Sequence, residues 1–355
     1  MSGKRKIRRR RRVLFIFVSI GIGLLGAFLC AETALRIYTA SRGWTPNCYA
    51  TGLVFFVPNE RSGHTMRPGL RLKSSTYDIS VNSIGLRGPE IRREGEHSRI
   101  AVLGGSSVFG YLVPEGKDSC RLLESFLKGQ DINCEVLNAG VPGFNLLQVR
   151  HRYEELIAPL EPDLVILYLG WNDIPFLIGS PSHERTPPAP NLMQRVLSKS
   201  VLYGFLRFRV FPNAAPKFAP PADSNTRVTQ AGEKAFRSEF LKLLEAIRQS
   251  GATPVISTQL MAAAEECKDL ESFLGSTQEQ IKVNQELGAW VLNKERSIAA
   301  EQEILLIDCA AELSCNADLL GDAIHLTSEG HEEVAQLWAQ ALAPMLRMVP
   351  VDDSK

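Results

Sequence analysis

The chain opens on two blocks that do not resemble anything after them. Residues 1–12, MSGKRKIRRRRR, are basic. Val13 to Cys30, VLFIFVSIGIGLLGAFLC, carries no charge over 18 residues, and Ala31 extends it before Glu32. About 20 apolar residues span the hydrocarbon of a bilayer as a helix, so this run predicts one N-terminal transmembrane helix with its exit, over 13–38. Residues 39–97 are turn-rich. In YDISVNSIGLRGPEI, alternation punctuated by Asn and Gly predicts short strands or a hairpin.

From residue 98 the pattern becomes strand, then helix, repeatedly. IAVLGG, CEVLNAG, DLVILYLG, TPVISTQL and EILLIDC read as five short buried strands. Between them, SCRLLESFLKG, NLLQVRHRYEELIAPL, AGEKAFRSEFLKLLEAIRQSG and QIKVNQELGAWVLNKERSIAA have helical spacing. SEGHEEVAQLWAQALAPML follows the last strand and places Val334, Leu337, Trp338, Ala341, Leu342 and Met345 on one face. Apolar strands alternating with helices predict a three-layer α/β/α domain over 98–346, with a five-stranded, mainly parallel sheet. Ligands in such sheets sit at the carboxyl ends of the strands. Residues 175–229 are Pro-rich, with the basic-aromatic patch LYGFLRFRVFPN, and read as an insertion or lid. Residues 347–355 are a tail.

Charge sharpens this picture. The chain holds 40 Lys+Arg and 39 Asp+Glu. Eight of the bases lie in residues 1–12, leaving 32 bases against 39 acids, a net of −7, for the rest. That balance argues against nucleic-acid binding by the globular part. Positive charge on one flank predicts a cytoplasmic N-terminus and an extracytoplasmic domain, periplasmic or extracellular. AFLCAETA offers no clean A-x-A cleavage site, and Leu29 before Cys30 disfavours lipidation. Beyond the apolar run lie Cys48, Cys120, Cys134, Cys267, Cys309 and Cys315. Local pairs Cys120–Cys134 and Cys309–Cys315 and buried free thiols are both open. No Cys/His spacing suggests a metal site.

The chemistry concentrates at strand ends. Gly105 to Gly110 satisfies G-x-x-x-x-G, but Tyr111 and Leu112 stand where a phosphate-binding loop needs Lys and Ser/Thr. The first strand instead ends in Gly104-Gly105-Ser106, the second in NAGVPG, the third in LGWND, and GDAIHL follows the fifth. Together and in this order, these four motifs resemble those of the SGNH (GDSL-type) hydrolases, whose sheet is flavodoxin-like. The resemblance implies Ser106 as nucleophile, His325 as general base and Asp322 as the residue that orients it. It implies an oxyanion hole of the Ser106 and Gly143 N–H groups and the Asn172 amide.

The chemistry fits those roles. A serine hydroxyl needs a base to take its proton, an imidazole does so near neutral pH, and a carboxylate fixes the ring's tautomer. Ser107 is the neighbouring alternative nucleophile. Asp173 reads as a helix cap or a support for the site, Trp171 as packing or a pocket wall, and His331 as a solvated helix residue. Asn82 to Gly88, NSIGLRG, reads as a packing or turn element. Gly105 departs from the family's usual Gly-Asp-Ser, and GGSS resembles membrane-anchored members.

The implied activity is cleavage of an oxygen ester, through an acyl-serine, without metal or cofactor. The implied partners are an ester-bearing substrate, a glycan or a lipid, and the membrane through the N-terminal helix. An O-acyltransferase using the same residues, and a non-catalytic glycan-binding or assembly protein, are the alternatives.

Overall fold

The computed structural model describes residues 2–42, 55–73, 78–92, 97–111, 113–179, 192–197, 199–210, 227–261, 278–313 and 318–348. They fall into two units. One contains helix α1 (Ser2–Ser41), the short strand β3 (Arg71–Lys73) and two helices from the Pro-rich stretch, α6 (Leu192–Leu197) and α7 (Val201–Val210). Between Val13 and Leu29 the large apolar side chains of α1 are all exposed, and the helix is long and apolar enough to cross a membrane.

The second unit begins with a hairpin, β1 (Phe56–Asn59) against β2 (Gly63–Met66), and then β4 (Asp78–Ser80). After β4, Val81 bridges antiparallel to Arg87 around a turn in which Asn82 Oδ1 accepts from the N–H groups of Ile84 and Leu86. The main sheet follows: β5 (Ser98–Gly104), β6 (Cys134–Asn138), β7 (Leu164–Tyr168), β8 (Thr253–Ser257) and β9 (Leu306–Ile307). Its order is β6-β5-β7-β8-β9, and every pairing is parallel. The reversal of order between the first and second strands sends successive crossovers to opposite faces.

Alternation along β5 divides the core. Ile100 and Val102 point into a cluster with Leu123 and Leu127 of α3 (Ser119–Lys128) and Trp338 and Leu342 of α11 (Ser328–Met348). α3 and α11 pack on each other. On the other face, α4 (Leu146–Arg152) packs on α8 (Gln230–Gln249), and these touch β5 and β8. The short helix α5 (Ile174–Leu177) comes after β7, α9 (Gln278–Glu301) precedes the edge strand β9, and the single turn α10 (Cys309–Glu312) follows it. Trp338 is fully buried, lies edge-on to Tyr168 at 5.5 Å and donates its indole N–H to Ser257 Oγ at 2.8 Å.

Several local expectations change. The helix predicted over Asn145 to Leu160 is α for only two turns. It relaxes into a π turn at Tyr153–Ile157 and a 3-10 turn at Ala158–Leu160, because Pro159 cannot supply the next backbone N–H. The fifth strand shrinks to two residues at the sheet edge, where it has one neighbour. Cys120 and Cys134 are both buried free thiols rather than a disulfide, and Cys309 is also free. Its local partner Cys315, with Cys48, Cys267 and most of 175–229, lies outside the described residues.

Candidate active site

Ser106 follows the last residues of β5 and opens the single turn α2 (Ser106–Phe109). The His325 loop is closed by an antiparallel bridge between Leu320 and Leu326 and by Gly321 N–H donating to His325 O at 2.8 Å. Within it, Asp322 Oδ1 accepts from the backbone N–H groups of Ile324 (3.0 Å) and His325 (2.8 Å). This leaves Oδ2 for the imidazole, 2.6 Å from His325 Nδ1. His325 Nε2 lies 2.8 Å from Ser106 Oγ.

Burial alone would raise the Asp322 carboxyl. The hydrogen bonds and charge of His325 and the Ile324 N–H outweigh it, so the group sits below the usual carboxylate value. An ionised carboxylate only accepts, so Nδ1 carries the proton and Nε2 presents its lone pair to Ser106. The His325 and Asp322 side chains are 18% and 36% exposed, so the array is open to solvent.

The second serine of GGSS has a different partner. Ser107 is buried and its hydroxyl donates to Ile324 O at 2.9 Å. Its oxygen therefore points at the His325 loop, tying the residue after Ser106 to the residue before His325. Tyr111 lies against the imidazole, with ring centroids 4.9 Å apart.

Gly143 and Asn172 sit on two loops that are bonded to each other. Asn172 Nδ2 donates to Phe144 O at 2.8 Å. The Asp173 carboxylate accepts from Leu146 N–H at 3.0 and 3.2 Å, at the start of α4. Asp173 thus supports the site across loops. An amide nitrogen carries two hydrogens, so Asn172 keeps a second donor. Gly143 has φ +84°, a left-handed value that favours glycine, with open space where a Cβ would be. Trp171 packs with Met261, Leu292 and Ile324.

Gly105 has a steric reason. A Cβ there would stand 2.5 Å from Asn172 Nδ2 and 3.5 Å from Phe144 O. The bare backbone lets the Asn172 amide lie directly on it, and an aspartate at this position would force that amide to move.

Sequence reasoning missed the frame beneath α2. Arg87, from NSIGLRG, is buried. Its Nη1 donates to Phe109 O (2.5 Å) and Gly110 O (2.6 Å), and its Nη2 to Val113 O (2.9 Å) and Pro114 O (3.1 Å). Asn138 Nδ2 donates to Val108 O (2.9 Å) and to Asp118 Oδ1 (3.0 Å). An arginine amid turn-forming residues was the available signal. His331 also departs from expectation. It is buried rather than solvated, with Nδ1 2.7 Å from Ser119 Oγ and accepting from Ser119 N–H at 3.1 Å. Burial lowers it to about 3.

A parallel α/β sheet with a Ser–His–Asp array across its strand ends defines an α/β protein of the serine-hydrolase type. The chain belongs to the GDSL-like lipase/acylhydrolase family, whose profile matches residues 102–333, and by that membership it is a serine ester hydrolase. Several solved structures are similar to the chain at low identity. A catalytic mutant of an acetylxylan esterase from Geobacillus stearothermophilus is 15% identical, with 71% of this chain and 96% of that chain covered and a TM-score of 0.44. A lipase/acylhydrolase from Enterococcus faecalis is 14% identical (70% and 96% covered, TM-score 0.42). A GDSL-like lipase from Bacteroides thetaiotaomicron is 14% identical (70% and 89% covered, TM-score 0.41). No curated protein matches the chain significantly.

Proposed function

We propose that this chain is a membrane-anchored esterase that cleaves O-acyl esters, acetyl esters first among them, on cell-envelope glycans outside the cytoplasm. The observation that carries the reading is the hydrogen-bonded series Asp322–His325–Ser106.

Ser106 Oγ attacks the ester carbonyl carbon while His325 Nε2 takes its proton. Negative charge moves onto the carbonyl oxygen. The N–H groups of Ser106 and Gly143 and the second hydrogen of the Asn172 amide are its donors. Each such donor is worth about 3 kcal/mol in the transition state. The carbon–oxygen bond to the alcohol breaks, and His325 returns its proton to the departing oxygen. Water then enters, its oxygen bonds the acyl carbon as His325 takes its proton, and His325 passes that proton to Ser106 Oγ as the bond to the acyl group breaks and the carboxylic acid leaves. Throughout, Asp322 holds Nδ1–H and stabilises the imidazolium.

The anchor supports the location. A basic flank of eight residues before the apolar run orients the N-terminus to the cytoplasm and the hydrolase domain to the far side. Envelope glycans bearing small acyl esters are the substrates met there.

The test is hydrolysis of an aryl acetate and of an acetylated envelope polysaccharide by the full chain in detergent. Wild type should release acetate from both. Asp322→Asn, which leaves the ring without its anionic partner, should lose about 10³–10⁴-fold in kcat. Equal rates in the two proteins would contradict the proposed roles.

A further inference from the structure

The structure builds a deliberate junction where α1 leaves its apolar run. Glu32 is two residues past Cys30, about 3 Å along a helix. Its carboxylate accepts from Ser200 Oγ (2.8 Å) and from the first two backbone N–H groups of α7, Val201 (3.0 Å) and Leu202 (2.9 Å). Ser200 Oγ in turn accepts from Tyr203 N–H at 3.1 Å. Arg36, paired with Glu32, donates to Lys199 O at 2.5 Å. Val201 is fully buried, as is Thr39 on α1. A carboxylate on α1 therefore caps α7, and an arginine one turn later donates to the carbonyl two residues before it.

This fixes the depth of α7. The headgroup layer on each side of a bilayer is about 5–7 Å thick, so a helix pinned about 3 Å beyond the apolar run starts within it. The outward surfaces of this unit match that place. Leu192, Met193 and Val196 form a stripe on α6 that is 60–78% exposed, and Leu206 on α7 is 50% exposed. Ile37 and Tyr38, beside the junction on α1, are 65% and 45% exposed. Residues 192–210 contain Arg195, Lys199, Arg207 and Arg209 and no acid. A segment with apolar, aromatic and purely basic residues whose second helix starts at headgroup depth has the chemistry of an interfacial membrane element.

We infer that α6 and α7 rest in the headgroup layer of an anionic bilayer, so that these two helices form a second, lateral attachment to the membrane beside the spanning helix. The inference rests on the proposal that α1 spans that bilayer. Its occupant is the lipid surface that covers the exposed apolar residues of α1.

The test places the photo-reactive residue p-benzoylphenylalanine at Met193 or Leu206 in the full chain. The protein is reconstituted into phosphatidylcholine vesicles with or without phosphatidylglycerol, and lipid adducts are read by mass spectrometry. Phe17 reports the span and Glu245, on α8, the aqueous reference. Adducts at Met193 and Leu206 should exceed those at Glu245 several-fold and rise with phosphatidylglycerol. Glu32→Ala should lower the Leu206 adduct and leave that at Phe17 unchanged. Adducts at Phe17 with only the Glu245 level at Met193 and Leu206 would overturn the inference and leave the span standing. No adduct at Phe17 would overturn the span and the inference together. Yields indifferent to phosphatidylglycerol would overturn its electrostatic part.

Discussion

A methyl group on Gly105 would sit 2.5 Å from the nitrogen of Asn172, inside any contact a real Cβ makes. Gly105 is therefore matched to its neighbour, because Asn172 as it stands occupies the space a Cβ would need. Gly105→Ala should displace the amide and lower kcat for an aryl acetate by about 10²-fold, the cost of misplacing one group by roughly an ångström. KM should move less, since an amide in the proposed oxyanion hole would act on charge that develops only in the transition state. A kcat unchanged in Gly105→Ala would show that Asn172 is not required where it sits. The two serines separate in the same way. Ser107→Ala loses the bond to Ile324 O and should slow turnover through a loosened His325 loop, without removing the nucleophile. Ser106→Ala should leave none.

At the scale of elements, two buried ionisable groups pull stability in opposite directions with pH. His331 joins α11 to α3 through Ser119 and is held down at about 3 by burial. An unfolded histidine binds its proton near 6.5, so the unfolded state carries more protons between about 3 and 6.5. Stability therefore falls as pH drops through that window, by about 2 kcal/mol between pH 6.5 and 5. Urea unfolding of the full chain in detergent should show this loss, and His331→Asn should flatten it; an unchanged slope in the variant would assign it elsewhere. Glu295 on α9 is fully buried, with no hydrogen-bond partner for either oxygen among the described residues. Burial and the nearby Asp173 charge push its pKa well up. The folded state then holds a proton the unfolded chain releases above about 4.5, so this group erodes stability as pH rises. Glu295→Gln should raise the urea midpoint at pH 8 more than at pH 5, and the reverse order would contradict this account.

Legibility differed by element for physical reasons. The buried strands β5, β6 and β7 are continuous apolar runs and stood out as such, as did α8 and α11 by their helical stripes. β9 reads as a full strand because its residues are apolar, yet it pairs over only two of them. The bond from Ser107 to Ile324 spans 217 positions, and the Arg87 clamp joins a turn to the end of α2. No local period encodes such contacts. His331 looked solvated because it lies among Glu329, Glu332 and Glu333, while its own position faces α3. Ser106, Asp322, His325 and Asn172 were legible only jointly, since each motif is short and their order along alternating strands and helices supplies the information.

The whole molecule joins an α/β ester hydrolase to an N-terminal helix long and apolar enough to cross a bilayer. Eight bases on one flank of that helix set the expected topology. A phosphatase reporter fused after residue 355, active only outside the cytoplasm, should therefore be active, and activity of a cytoplasm-only reporter there would reverse the assignment. The central claim is that Ser106 is a nucleophile activated by His325 and Asp322. Labelling of the membrane-embedded full chain with a fluorophosphonate probe tests it most directly, because the probe reports an activated serine whatever the natural ester. Wild type should label covalently on the peptide containing Ser106, and Ser106→Ala, folded to the same urea midpoint, should not. Equal labelling of both proteins, or none of correctly folded wild type, would contradict it.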